Sequence, residues 1–174
     1  SSDLVLELIQ DGLVQEARPE QITQKGRPEL VLSPNPTGLT AIVVNTVSRT
    51  LHCALVDLAG NVLHRERRDL DADAIGPDDF LAAITQLCEL VQQHQPAGAR
   101  LAGLVVSLAG IVDEDARIWR FAAHWPNLRD LSFDGLQQVL GCRVLVAKNL
   151  TCELRARMDR AEVVPHQAML LLHW

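Results

Sequence analysis

Apolar residues fall at Leu4, Val5, Leu8 and Ile9, the spacing of one helical face, and Gly12 follows as a stop. The pattern predicts a helix over residues 2–10. Two or three turns of helix with nothing before them are marginal alone, so the chain reads as cut from a longer one. Leu13 and Val14 begin an extended segment, residues 18–28 are polar and rich in Gln, Gly and Pro, and residues 29–32 are extended again. Residues 13–32 therefore read as a hairpin with a long tip. The run Ser-Pro-Asn-Pro-Thr-Gly over residues 33–38 reads as a linker.

From Thr40 the pattern changes. Apolar runs over 41–44, 51–56 and 62–67, joined by short turns, predict three successive antiparallel strands. Residues 78–95 follow as a helix, with Phe80, Leu81, Ile84, Leu87, Cys88 and Val91 on one face and Pro96 beyond the end. Residues 101–108 are almost unbroken apolar sequence, as expected of a central strand covered on both faces. After a loop holding Trp119 and Trp125 come a short helix (133–140), a strand (144–147), a helix (151–160) and a last strand (168–172). An antiparallel trio followed by alternating helices and strands implies a mixed sheet with helices packed on it, an α/β architecture.

Composition narrows the function. A chain of 174 residues, 48% apolar and 22% charged, matches one soluble globular domain. Aromatic residues make up only 3%, which disfavours stacking platforms for single-stranded nucleic acid. The net charge of −6 has the wrong sign for clamping phosphate backbones over the whole surface, so DNA binding would need one local element. Cys53, Cys88, Cys142 and Cys152 lie far apart with no close Cys/His cluster, and read as buried reduced thiols of a cytoplasmic protein. No apolar run approaches the roughly 20 residues that cross a bilayer, so no membrane partner is expected.

Several strings, in this order and spacing, resemble the ROK family, which holds sugar kinases and sugar-responsive repressors of the NagC and Mlc type. Residues 2–16, SDLVLELIQDGLVQE, resemble the end of the recognition helix and the next strand of a winged helix-turn-helix. Lys25-Gly-Arg-Pro28 resembles the Gly-Gly-Arg-Pro run at the exit of the wing, with Lys25 for the first glycine. LVVSLAGIVD, residues 104–113, resembles the family's strand and Pro-Gly loop, with Ala109 in the proline's place. The resemblance implies an actin-like, ribonuclease-H-like fold of two halves around a sugar cleft, preceded by a DNA-binding domain. Residues 1–36 would be the winged-helix remnant and linker, and residues 37–174 the first half of the kinase-like domain. The family's Glu-x-Gly-His sugar segment and Cys-rich zinc loop belong to the second half. No cofactor is therefore expected here, and zinc would sit in that other half.

The resemblance also assigns positions. The kinases' Asp-x-Gly-Gly-Thr phosphate turn aligns with Asn45, Thr46, Val47, Ser48 and Arg49. Glycines there would permit positive φ and let backbone N–H groups approach an anion. Here both are gone, β-branched Val47 resists that backbone, and Asn45 replaces the metal-organising carboxylate, so Asn45, Val47 and Ser48 form a degenerate phosphate loop in a hairpin turn. Asn149 stands where the kinases carry their catalytic aspartate, and an amide cannot take a proton from a sugar hydroxyl. Asn149 could bond a hydroxyl or cap the next helix, and the two roles can coexist. His124 lies where the family carries a Ser-Pro-Asn sugar contact, although a surface loop histidine beside a packed Trp125 is an equal reading. Gly110 sits where the family's loop backbone approaches the sugar, or marks an ordinary strand-to-loop turn. Lys148, preceding Asn149, favours an anionic ligand. On the DNA side Ser2, Lys25 and Arg27 would make contacts, opposed by Glu16, Glu20 and Glu29.

The expectation is a sugar-responsive ROK repressor whose kinase-like domain has no catalytic residue and senses a sugar or sugar phosphate through Gly110, His124, Lys148 and Asn149. Its expected partners are operator DNA, that sugar, and further copies of itself. One alternative is a sugar kinase using Asp113 as an unusual base. Another is an interaction or dimerisation module with no small ligand, to which residues 168–172, if an unpaired edge strand, would contribute.

Overall fold

A computed structural model describes residues 2–17 and 31–160. Helix α1 (Ser2–Gln10) is followed by strands β1 (Val14–Ala17) and β2 (Val31–Pro34), paired antiparallel from Val14↔Pro34 to Ala17↔Val31. A 3₁₀ turn over Pro36–Gly38 leads into β3 (Leu39–Val47), β4 (Thr50–Asp57) and β5 (Val62–Asp69). The linker expected over residues 33–38 is instead ordered structure. Ser33 and Pro34 extend β2, and Asn35 donates from its side chain to the Gly12 carbonyl at 2.9 Å.

Tight turns force β3, β4 and β5 into an antiparallel meander, as the sequence pattern predicts. The β4–β5 turn is closed by Asp57, whose carboxylate accepts from the N–H groups of Ala59 and Asn61 and from the Asn61 side chain. Helix α2 (Pro77–Gln92) starts with proline in its first turn and Asp78 and Asp79 beside it, all favourable at a helix N-terminus. It ends three residues earlier than the sequence pattern suggests, and His94 and Gln95 close it with turn hydrogen bonds. Phe80, Ile84, Leu87, Cys88 and Val91 are buried against the sheet, so the predicted apolar face is the observed one.

Strand β6 (Arg100–Leu108) then runs parallel to β3, and β10 (Val144–Lys148) runs parallel to β6, giving the order β10-β6-β3-β4-β5. The sheet is mixed and β6 is central, but β6 is not covered on both faces. Val106 and Leu104 are buried on the α2 side, whereas Val43, Val105 and Ser107 border an open cleft on the other.

The segment between β6 and α3 (Asp134–Leu140) is a small sheet and not a loop: β7 (Ile111–Asp113), β8 (Ile118–Phe121) and β9 (Leu131–Ser132). Trp119 and Trp125 carry its core. Both pack on Phe80, at ring-centroid distances of 5.6 and 5.2 Å, and fully burying such side chains contributes about 1.5–3 kcal/mol each. Helix α3 ends at Gly141 in the left-handed conformation, and α4 (Asn149–Arg160) leaves β10 directly, two residues before its expected start. The expected strand over 168–172 lies outside the described residues, as do Lys25 and Arg27. Ser2 begins α1. None of the described helices is long and apolar enough to cross a membrane.

Candidate functional site

Parallel strands β3, β6 and β10 end on the same side of the sheet, which is where open α/β sheets place their ligands. A cleft of about 930 Å³ opens there. Asn45, Val47 and Ser48 reach it from the end of β3, Ser107 and Gly110 from the end of β6, and Lys148 and Asn149 from the end of β10. His124 joins from the loop after β8. All four residues expected to face a sugar, and all three of the degenerate phosphate loop, thus line one cavity.

Each is held by an identifiable local cause. Gly110 has φ +96°, and a Cβ there would run into the Phe121 carbonyl, so only glycine fits this turn between β6 and β7. The preceding carbonyl, that of Ala109, accepts the indole N–H of buried Trp119 at 2.7 Å. His124 is exposed in a loop pinned just after it: Trp125 is buried, and the Asn127 side chain donates to the Asp73 carbonyl at 2.6 Å. Asn149 opens α4, and its Oδ1 accepts the Leu150 N–H at 2.8 Å. An N-cap accepts from the second or third residue on, so this contact with the next residue is not one. The Lys148 N–H donates to Glu114 Oε1 at 2.9 Å, and its ammonium has no ion-pair partner among the described residues.

The β3–β4 turn departs from the sequence expectation in detail. Val47 remains in the strand, paired with Thr50 and 51% exposed, and it is Ser48 that takes the positive φ, +52°. A two-residue turn, Ser48-Arg49, therefore stands where a phosphate cradle would need several consecutive backbone N–H groups turned inward. Arg49 is spent on a bidentate pair with Asp73, at 2.7 and 3.2 Å, both side chains being more than half exposed. Further down β3, Asn45 lies opposite Ser107 of β6. Asn45 Oδ1 is buried and has no hydrogen-bond partner among the described residues. A buried acceptor left unmade costs about 1–3 kcal/mol.

The alternative kinase reading takes Asp113 as its base. Asp113 does not line the cleft; it accepts the Ala116 N–H at 3.1 Å and Arg120 at 2.9 Å. The Ala116 bond, with Arg120 second, holds its carboxyl below the usual carboxylate range, which is the wrong direction for a general base. The carboxylate in the cleft is Glu153 of α4, which the sequence reading passed over, and it is bound to Arg157 at 2.6 and 3.1 Å. Its place in the second turn of α4 follows from the helix leaving β10 at the crevice end of the sheet.

Cys152 also lines the cleft, while Cys53 and Cys88 are buried in the core. The Cys53 thiol beside Cys88, together with burial, pushes the Cys88 thiol up, and burial does the same at Cys142. Among the described residues no group of three or more His, Cys, Asp or Glu converges.

No protein-family model matches the sequence, and no curated protein matches it. Solved structures do. A ROK family transcriptional regulator, a homologue of the E. coli Mlc protein, superposes with TM-score 0.65 at 26% identity, over 84% of this chain and 37% of that one. A glucokinase from Parabacteroides distasonis gives TM-score 0.56 at 13% identity, over 64% of this chain and 31% of its own. A ROK hexokinase from Thermus thermophilus gives 0.52 at 15%, over 62% and 34%. The two sugar kinases share the fold, and the chain spans about a third of each of the three proteins. The mixed sheet is thus half of an actin-like domain.

Proposed function

We propose that this chain is part of a cytoplasmic sugar-responsive transcriptional regulator of the ROK family, whose kinase-like cleft binds a sugar or sugar phosphate without transferring phosphate. The observation that carries the reading is the pairing, in one cavity, of residues suited to hydroxyls with, among the described residues that line it, no carboxylate outside an ion pair. Asn45, Ser107, Asn149, His124 and Lys148 offer donors and acceptors, while Glu153 is held by Arg157. Phosphoryl transfer in this geometry needs a base within hydrogen-bond reach of the attacking hydroxyl, and an amide at the start of α4 cannot serve. It also needs backbone donors around the transferred group, and the Ser48-Arg49 turn supplies no glycine for them.

Such a protein would carry operator DNA on the winged helix to which α1 and the β1–β2 hairpin belong, with Ser2, Lys25 and Arg27 among its contacts. The regulator it resembles supports this assignment over that of a kinase, being matched over more of the chain and at higher identity. The test uses the full-length protein with ATP, magnesium and a panel of hexoses and N-acetylhexosamines. No sugar-dependent ADP release is expected from any of them. Turnover with even one sugar that Asn149→Ala abolishes would overturn the reading in favour of an enzyme.

A further inference from the structure

The helix–hairpin unit and the cleft lie at opposite ends of the same two strands. Strand β3 starts at Leu39, immediately after the 3₁₀ turn that abuts α1, and ends at Val47 in the cleft. Its parallel neighbour β6 starts at Arg100, 3.9 Å from Asp11 at the end of α1, and ends next to Gly110 in the cleft. Between them, pairing from Ile42↔Leu104 to Asn45↔Ser107 keeps the cleft half of the two strands in register, and an irregularity between Thr40 and Ile42 interrupts it nearer their start.

The near end of this pair is a tightly built joint. The Asn35 side chain donates to the Gly12 carbonyl at 2.9 Å, and the Asn35 N–H donates to the Leu13 carbonyl at 2.8 Å. Gly38 is buried, and a Cβ on it would collide with the same Gly12 carbonyl oxygen. On the other side the Leu58 N–H donates to the Pro36 carbonyl at 3.0 Å, tying the turn to the end of β4. One carbonyl, that of Gly12, is thus gripped between Asn35 and Gly38, and the grip continues into β3 with no intervening loop.

We propose that this joint is the route by which occupancy of the cleft is transmitted to the helix–hairpin unit, with Asn35 and Gly38 as its positioning residues. The inference rests on the sensing reading above and adds the regulation of that same site. Strand β3, paired with β4 without a break from Thr40 to Val47, is too stiff to absorb a shift at Asn45 locally. Displacement at the cleft therefore reappears where the strand begins, and the Gly12 carbonyl passes it to α1 and β1. Exposed loops between the two units would have absorbed it.

The experiment is hydrogen exchange of the full-length protein, alone and saturated with glucose, N-acetylglucosamine or either 6-phosphate, alongside calorimetry of the same samples. With a ligand that binds, amides in residues 2–17 and 31–34 should change their exchange rate. In Asn35→Ala the calorimetric signal should persist, while the ligand-induced change at those amides falls at least about five-fold, the lower end of ordinary coupling. The ratio of bound to free rates is the readout, since simple loosening of the unit raises both. Gly38→Ala, which wedges the Gly12 carbonyl away, should act likewise. Thr37→Ala, which loses only a bond to Asn35 Oδ1, should leave the response intact. Ligand binding with no change at α1 and the hairpin, or an undiminished response in Asn35→Ala, overturns the joint and leaves sensing standing. Failure of every sugar to bind removes the sensing reading, and the joint with it.

Discussion

Replacing Trp119 with Phe probes the link between the aromatic core and the cleft. Trp119 is fully buried, packed between Phe80 and Trp125, and its indole N–H holds the Ala109 carbonyl at 2.7 Å. Two losses combine. The acceptor left unmade costs about 1–3 kcal/mol. The smaller ring leaves on the order of 40 Å³ unfilled, worth about 1 kcal/mol at ~24 cal/mol per Å³. The sum is about 2–4 kcal/mol, and at a urea dependence of roughly 2 kcal/mol per molar it lowers the midpoint by about 1–2 M. Urea unfolding followed by far-ultraviolet circular dichroism reads it, with Val139→Ala on the exposed face of α3 as a control expected within about 0.5 kcal/mol. Because Ala109 and Gly110 form the cleft wall, the variant should also weaken any cleft ligand. A midpoint moved by less than the control would refute the reasoning, since neither the buried hydrogen bond nor the filled volume would then matter.

Other outcomes follow from named contacts. Cys152 should react with a disulfide reagent at least about ten-fold faster than Cys53 or Cys88, and a cleft ligand should protect it; mass spectrometry of the labelled peptides decides, and equal labelling contradicts the cleft placement. Asp113 has a folded pKa below its unfolded value, so its contribution to stability is full above the unfolded value of about 4 and lost as pH falls through the lower folded one. The stability gap between wild type and Asp113→Asn should therefore be open at pH 6 and close below pH ~4, and a gap that widens with acid would be the wrong sign. Arg49→Ala removes an exposed pair with Asp73 and should cost under about 1 kcal/mol in the same unfolding assay. Gly110→Ala forces a side chain into the Phe121 carbonyl at positive φ and should cost clearly more than Arg49→Ala.

The strands joined by tight turns were legible because short turns leave antiparallel pairing as the geometry available, and α2 was legible because its apolar face repeats over four turns. The small sheet was not. Its strands are three, four and two residues long, and the polar run from Asp113 to Arg117 between β7 and β8 masks any alternation. What creates it is tertiary: Trp119 has to reach the core while its indole finds the Ala109 carbonyl. The open face of β6 was misread because an unbroken apolar run looks the same whether its second face meets a helix or a cleft. Residues at strand ends, Asn45, Gly110, Lys148 and Asn149, were grouped through the family resemblance, and they meet because parallel strands deliver their carboxyl ends to one edge. Glu153 was missed as part of a solvated helical face, and the backbone of Ser48 was missed because the turn length, which moved positive φ off Val47, is set by the β3–β4 register.

The central claim is that the cleft holds a sugar through side chains at the strand ends. Calorimetric titration of the full-length protein with hexoses, N-acetylhexosamines and their 6-phosphates tests it most directly, run beside Asn149→Ala. The account predicts saturable binding of at least one ligand, weakened in the variant by roughly ten-fold, as expected for a lost hydrogen bond of about 1.4 kcal/mol. Binding that Asn149→Ala leaves unchanged, or no binding at all, would contradict it.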